Sequence, residues 1–396
     1  MRRWIGPGVL VAVGYMDPGN WATGIEAGSG YGYSLAWVIL VSSTAAILLQ
    51  IIAARLGVCT QMDLVGLGYR FLGARMGKFL AFTAFIAVIA TDLAEVLGFS
   101  LALRLLTGLP MSVGAVLALV EVVFILYWTS RRPRALESLV GILTLAIVFI
   151  FIFELFLLRP PFFSIVEGLK PSALVLKEKE ALYLTLGLIG ATIMPHNLYL
   201  HSAWIRKRFS GDIYSQTQAI TRDTTSSLSL AFFVNIALLI TAAALRGTPN
   251  PLERWGIEEA YRLFEPALGT AAMAAFGVAL LLSGHNATLT STLTGQIVLE
   301  YLLPRRLSPT LRSLALRTLS LLPALLALSL WGEKHVSDLL VLSQVILSLQ
   351  LPFVLLPMLY FLHKVPQASP SRLALILTYV ISISLIALNS YLFVTL

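Results

Sequence analysis

Val13-Gly-Tyr-Met-Asp-Pro-Gly-Asn-Trp-Ala-Thr23 is the stretch on which the fold turns. It sits inside an apolar run that begins near residue 4. About thirteen residues separate that start from Asp17, and at roughly 1.5 Å per residue they carry a helix about 20 Å into a bilayer. Proline removes a backbone donor and clashes with the turn before it, and glycine adds backbone freedom. A membrane helix must break here. A second break is read at Ala191-Thr-Ile-Met-Pro-His-Asn197, again near the middle of its apolar run. Both sites read x-Pro-x-Asn.

The rest of the chain has the composition of a membrane protein. Of 396 residues, 58% are hydrophobic and 12% charged, and the mean hydropathy is +0.85. A soluble domain carries about 25% charged residues, so these few could not cover a soluble surface. The net charge of +8 is spread over short loops, without a basic face interleaved with aromatics. No nucleic-acid partner is therefore expected. The single cysteine, Cys59, excludes an internal disulfide and a multi-cysteine metal cluster. No cleavable signal peptide is read at the N-terminus.

A crossing needs roughly 20 mostly apolar residues. Eleven stretches qualify, at about 4–27, 33–58, 78–103, 108–129, 135–158, 180–205, 223–245, 266–300, 313–332, 336–362 and 372–395. All are expected to be helices, because lipid satisfies no free backbone group. The stretch at 266–300 is too long for one crossing, so its ends are expected to bend or reach solvent. Lys and Arg gather in alternate loops, as at Arg131, Arg132, Arg134, Arg305, Arg306 and Arg312. That bias puts the N-terminus in the cytoplasm and the C-terminus outside a plasma membrane. A single membrane domain, 1–396, is the simplest organisation, with a monomer as the default.

The breaks fall in the first and sixth spans. Spans one to five (about 4–158) and six to ten (about 180–362) then make two repeats. An odd number of spans per repeat inverts one against the other, and the eleventh (about 372–395) stands apart. Paired interrupted helices are a pointer to a transporter's binding site. Asp17 offers a carboxylate and Asn20, three residues on, an amide oxygen. The second break frees carbonyls, with Ala191 the candidate, and adds the Met194 thioether. Oxygen donors alone suit magnesium or calcium, whereas a thioether favours softer metals. The mixed set fits Mn²⁺ or Fe²⁺, with Cd²⁺ as a passenger. Proline kinks and single methionines are usually structural. Asp17 is different, because an unpaired carboxylate at mid-membrane costs at least about 2.5 kcal/mol. It needs a partner, a proton or a cation.

At these residues the chain resembles the NRAMP family of proton-coupled divalent metal transporters. The resemblance is carried by Gly14-Tyr-Met-Asp-Pro-Gly-Asn-Trp-Ala-Thr23 and by Gly190-Ala-Thr-Ile-Met-Pro-His-Asn-Leu-Tyr-Leu-His-Ser202. Ala90-Thr-Asp-Leu-Ala-Glu95, Ala231-Phe-Phe-Val-Asn235, Gly295-Gln-Ile-Val-Leu-Glu300 and Leu342-Ser-Gln-Val-Ile-Leu-Ser-Leu-Gln-Leu-Pro-Phe353 extend it in order along the chain. It implies an all-α, LeuT-like fold of two inverted five-helix repeats plus one helix. It implies metal ligation by Asp17, Asn20, Ala191 and Met194, joined by Gln344 in some states, with no resident cofactor. His285 departs from the family's usual glutamine, and Gly24 from its usual polar residue.

Asp92 and Glu95 lie one turn apart in the third span, and Arg317 is placed to pair with one of them. Such carboxylates can pass a proton or form a structural ion pair. The resemblance implies the former, on a path partly separate from the metal's. Asp17 is the expected first proton acceptor, with His196 tuning the transfer. His201 and Asn235 are expected at a gate or in bonds between helices. For Glu121 and Glu154 a buried or interfacial hydrogen bond is expected.

Three other activities share some of these features. A sodium-coupled amino-acid carrier would use the same fold, but Asp17 and Met194 would repel or ignore a carboxylate. A passive channel would be insensitive to changes at Asp92. An intramembrane metallohydrolase is disfavoured, because no His-Glu-x-x-His or comparable catalytic arrangement occurs.

Overall fold

The computed structural model describes residues 7–131, 133–207, 212–246, 255–303 and 308–395. Among these residues all regular structure is helical. In chain order the helices are α1 (Pro7–Gly14), α2 (Pro18–Tyr31), α3 (Ala36–Thr60), α4 (Leu64–Thr107), α5 (Met111–Arg131), α6 (Pro133–Leu158), α7 (Phe162–Gly168) and α8 (Leu174–Lys177). They continue with α9 (Lys179–Thr192), α10 (Pro195–Trp204), α11 (Ile213–Leu245), α12 (Ile257–Leu268), α13 (Thr270–Leu302), α14 (Pro309–Trp331), α15 (Val336–Lys364) and α16 (Arg372–Thr395).

The first and sixth expected spans are each a broken pair, α1–α2 and α9–α10. Pro18 has no N–H for the Gly14 carbonyl, so α1 stops there. Asp17 leaves the helix with extended backbone (φ −65°, ψ 163°) and caps α2 by accepting from the Asn20 N–H at 2.8 Å. Pro195 leaves the Ala191 carbonyl without an intrahelical donor in the same way. Ile193 and Met194 form the connection (φ −109°, ψ 46° and φ −47°, ψ 111°). The two pairs run in opposite directions through the bundle. α2 rises towards the end that holds α12, α7 and α8, whereas α9 descends from it.

Eight helical stretches among the described residues have the length and apolarity of a membrane crossing. One of them, Pro18–Thr60, contains both α2 and α3; Met111–Glu121 and Arg317–Trp331 are shorter apolar helices. A helix or broken pair lies over each stretch expected from sequence, residues 4–6 of the first being outside the described residues, and two of the stretches differ in organisation. The expected 266–300 span begins at Thr270, because Gly269 adopts φ 91° and ends a separate amphipathic helix, α12. Ile257, Ala260, Tyr261 and Phe264 of α12 face the core. α13 then runs unbroken for 33 residues, so the stretch bends only at its N-terminal end, at Gly269. The third span is preceded by a helical segment joined to it at Gly73, whose φ of 84° lets the chain turn within α4.

α2 lies at the centre, packed by α4, α9, α11 and α15, while α13 runs along α4. The core is mostly Leu, Ile, Val and Ala from these helices. Two glycines let the broken helices meet α15. A Cβ at Gly19 would come 1.7 Å from Gln344 Nε2, and one at Gly190 would come 1.9 Å from the Gln344 carbonyl.

Candidate metal and proton site

The two breaks face each other, and their polar groups converge. Asn20 Nδ2 donates to the Ala191 carbonyl at 2.8 Å, to the Tyr15 carbonyl at 3.0 Å and to Asp17 Oδ1 at 3.1 Å. The other Asp17 oxygen, Oδ2, accepts from Gln344 Nε2 at 3.2 Å. Asp17, Ala191, Met194 and Gln344 are fully or almost fully buried, and Asn20 is 4% exposed. The structure thus brings Asp17, Asn20, Ala191 and Gln344 into one hydrogen-bonded cluster. Met194 stands beside it on the second break, where its sulfur accepts from Asn197 Nδ2 at 3.4 Å.

The Asn20 amide is the pivot of this cluster. A half-turn about its terminal torsion exchanges NH₂ for oxygen. The oxygens of Asp17, Asn20 and Ala191 would then face one another, an arrangement that a cation would stabilise. The Gln344 oxygen is buried and has no partner, and it stands beside Asp17. Among the described residues no three His, Cys, Asp or Glu gather to hold a metal. Any metal bound here would therefore take mixed donors.

A second layer holds the break in place. Asn235 on α11 donates to the Tyr15 carbonyl at 3.0 Å, a bond between helices of the kind expected from sequence. The Ser283 hydroxyl on α13 bonds the Met16 carbonyl. Gln50 donates to the Tyr15 hydroxyl at 2.7 Å and meets His201 Nδ1 at 2.9 Å. His196 meets the Thr91 hydroxyl at 3.0 Å. The two histidines of α10 therefore face α4 and α3 respectively, and Nε2 of each is buried without a partner. Tyr15, Gln50, Thr91 and Ser283 were not singled out from sequence. A lone glutamine in the apolar run Ala45–Ala54 is the one clear signal among them.

Arg317 bonds both expected carboxylates. Its Nη1 donates to Asp92 Oδ1 at 2.8 Å and to Glu95 Oε2 at 3.0 Å, and its Nη2 donates to the Thr288 hydroxyl at 2.8 Å. The Ser291 hydroxyl adds a bond to Glu95 Oε2 at 2.6 Å. The side chains of all three charged residues are at most 2% exposed. Two carboxylates share one guanidinium, so the buried group is neutral only if it holds one proton. Thr91 precedes Asp92 and touches His196, which connects this triad to the second break.

Glu121 pairs with His285 as the sequence expectation required. Glu154 does not meet its own: it is fully buried, and neither carboxyl oxygen has a hydrogen-bond partner. The residues around it on α6 are apolar, so no local group can supply the expected bond.

A model of the family described as Natural resistance-associated macrophage protein-like matches residues 8–395. The chain is 45% identical over 370 residues to the divalent metal cation transporter MntH of Xylella fastidiosa, covering 91% of this chain and 77% of that one. Its fold matches the crystal structure of the Eremococcus coleocola manganese transporter in complex with an aromatic bis-isothiourea substituted compound. The TM-score is 0.82 at 33% identity, over 97% of this chain and 84% of that one. The nucleobase-cation-symport-1 family transporter Mhp1 shares the fold alone, with a TM-score of 0.66 at 16% identity over 91% of this chain and 79% of that one. The broken-helix, LeuT-like architecture is thus the architecture of this chain, which belongs to the natural resistance-associated macrophage protein-like (Nramp) family.

Proposed function

We propose that this chain is a secondary transporter that imports a divalent transition metal, Mn²⁺ or Fe²⁺ and with them Cd²⁺, by symport with protons. The observation that carries the reading is the meeting of Asp17, Asn20 and the Ala191 carbonyl between two broken helices. Asp17, Asn20, Ala191 and Met194 are the ligands, and Gln344 joins them from α15. The family and the relatives' names support a metal cargo. The donor set favours a transition metal, because the thioether adds nothing for Mg²⁺ or Ca²⁺.

Two carboxylate positions support the proton coupling. Asp17 serves metal and proton in turn, since a cation arriving at its oxygens expels a proton. The Asp92–Arg317–Glu95 triad holds one more exchangeable proton, and Thr91 and His196 link it to the site. His201 and Asn235 hold the turn at Tyr15, and loosening them lets the first break move. Two inverted five-helix repeats, about 4–158 and 180–362, alternate access around this point across eleven crossings. The working unit is a monomer in the plasma membrane, with its N-terminus in the cytoplasm and its C-terminus outside.

Mn²⁺ uptake into proteoliposomes tests the site. Asp17→Ala is expected to cut uptake by at least about tenfold to a hundredfold, the range for metal-site partners in general. Undiminished uptake by that variant would overturn the assignment.

A further inference from the structure

Glu154 is a carboxyl that the metal site and the Asp92–Arg317–Glu95 triad do not use. It lies on α6, towards the end of the bundle that holds α12. It is fully buried, and both of its oxygens are unpartnered. A bare carboxylate in such surroundings is prohibitively costly, so the group carries its proton in this conformation.

Among the described residues no charged group bonds Glu154 in place of that proton. α6 is packed by α1, α5, α11, α12 and α13. α1 has no titratable residue. Glu121 of α5 and His285 of α13 pair with each other. Arg222 and Asp223 of α11 lie at the opposite end, where Asp223 caps Gly8. On α12, Glu258 pairs with Arg262, Glu259 caps Gly256, Glu265 is exposed and Tyr261 packs on Gly277.

Its position ties it to the metal site through an aromatic roof. Trp21 follows Asn20 directly and is fully buried. Its ring lies 5.1 Å from Phe151 of α6 and 5.1 Å from Phe276 of α13. Phe276 in turn stacks on Phe264 of α12 at 4.8 Å. Glu154 is one helical turn beyond Phe151, on the same face of α6. These rings cover Asn20 on the side of α12, and parting Phe151 from Trp21 would loosen the face of α6 that also carries Glu154.

We propose that Glu154 is a second, independent proton-binding site: dry and protonated while the roof is closed, and ionised when the roof opens, so that its released proton leaves a negative charge to draw the divalent cation inward. The proposal rests on the metal-transport reading and adds a proton site outside both the ligand set and the Arg317 triad.

Glu154→Gln keeps the shape of the protonated group and removes its proton exchange. In proteoliposomes the variant is expected to transport Mn²⁺ with kcat unchanged. Its KM at alkaline pH should rise by about tenfold, the effect of one lost favourable charge interaction, while at acid pH it should match the unaltered chain. A KM profile that superimposes on that of the unaltered chain at every pH overturns the proposal. A second arm uses the unaltered chain in liposomes without metal. Dicyclohexylcarbodiimide, to whose central carbon a protonated carboxyl in apolar surroundings adds as its proton passes to nitrogen, should modify Glu154 and do so less as pH rises; absence of an adduct at every pH also overturns it. Failure of the transport reading itself would show separately, as undiminished uptake by Asp17→Ala, and the carbodiimide arm does not depend on it.

Discussion

At the scale of single residues, the proposed selectivity would reduce to one sulfur. In the proposed site Asp17, Asn20 and Ala191 would supply oxygens that any divalent cation accepts, so discrimination against Ca²⁺ would fall to the Met194 thioether. Met194 is fully buried on the second break, three residues after Ala191. Met194→Ala should weaken Cd²⁺ binding more than Mn²⁺ binding. The Cd²⁺ Kd should rise by at least about tenfold, the lower figure for even an outer partner of a metal. Calorimetric titration of purified protein with both metals checks this; an equal loss for both would end the sulfur's role in selectivity, and no loss for either would remove it from the site. Gly19 gives a second test at this scale. A Cβ there would overlap Gln344 Nε2, so Gly19→Ala must push Gln344 off Asp17. Metal binding should weaken while helix content, read by circular dichroism, stays unchanged.

At the scale of elements, the docking of α14 on α4 and α13 depends on one buried guanidinium. Arg317 is held by Asp92, Glu95 and Thr288. Removing one partner of a buried ion pair leaves charge uncompensated, typically at a cost of about 3–5 kcal/mol. Arg317→Gln should therefore lower thermal stability sharply. Combining it with Asp92→Asn and Glu95→Gln should restore most of the loss while leaving proton movement impaired. Scanning calorimetry in detergent checks the first half and proton flux in liposomes the second. The sequence made this triad legible because three charges in apolar runs had to find one another. It made the broken helices legible because Pro18 and Pro195 remove specific backbone bonds. The α12–α13 boundary was less legible: it rests on a positive φ at Gly269, and hydropathy blurs across Pro266, Ala267 and Leu268. Glu154 was misread because the expectation of a hydrogen bond assumed a neighbour, and which helices surround a residue is set by tertiary packing alone. The Asn20–Ala191 bond was likewise foreseeable only as two groups of compatible chemistry, since the sequence holds their types and the packing of α2 on α9 sets their distance.

At the scale of the whole molecule, the two ends of the bundle differ in charge, and that difference predicts which end faces the cytoplasm. One end carries α7, α8, α12 and the Arg104 clasp, in which Arg104 bonds Glu333 at 2.6 Å and reaches Glu258 at 3.7 Å. Glu258, Glu259 and Glu333 line a cavity of about 350 Å³ there with Arg104 and Arg262. The opposite end carries Arg55, Arg70, Arg75, Lys78 and Arg206, with Arg206 3.8 Å from Asp63. Basic loops stay in the cytoplasm because Lys and Arg resist translocation, so the α12 end should face outwards. Four single-cysteine variants in a Cys59→Ser background test this, each at a position exposed in the structure: Ala173→Cys and Ala267→Cys at the α12 end, Ala74→Cys and Gln367→Cys at the other. An impermeant maleimide added to intact cells should label the first two alone, and the other two should react only after permeabilisation. The reverse pattern would turn the molecule over, and with it the side from which a cation meets the Trp21 roof. Labelling of all four from one side would be incompatible with a bundle whose broken helices cross in opposite directions.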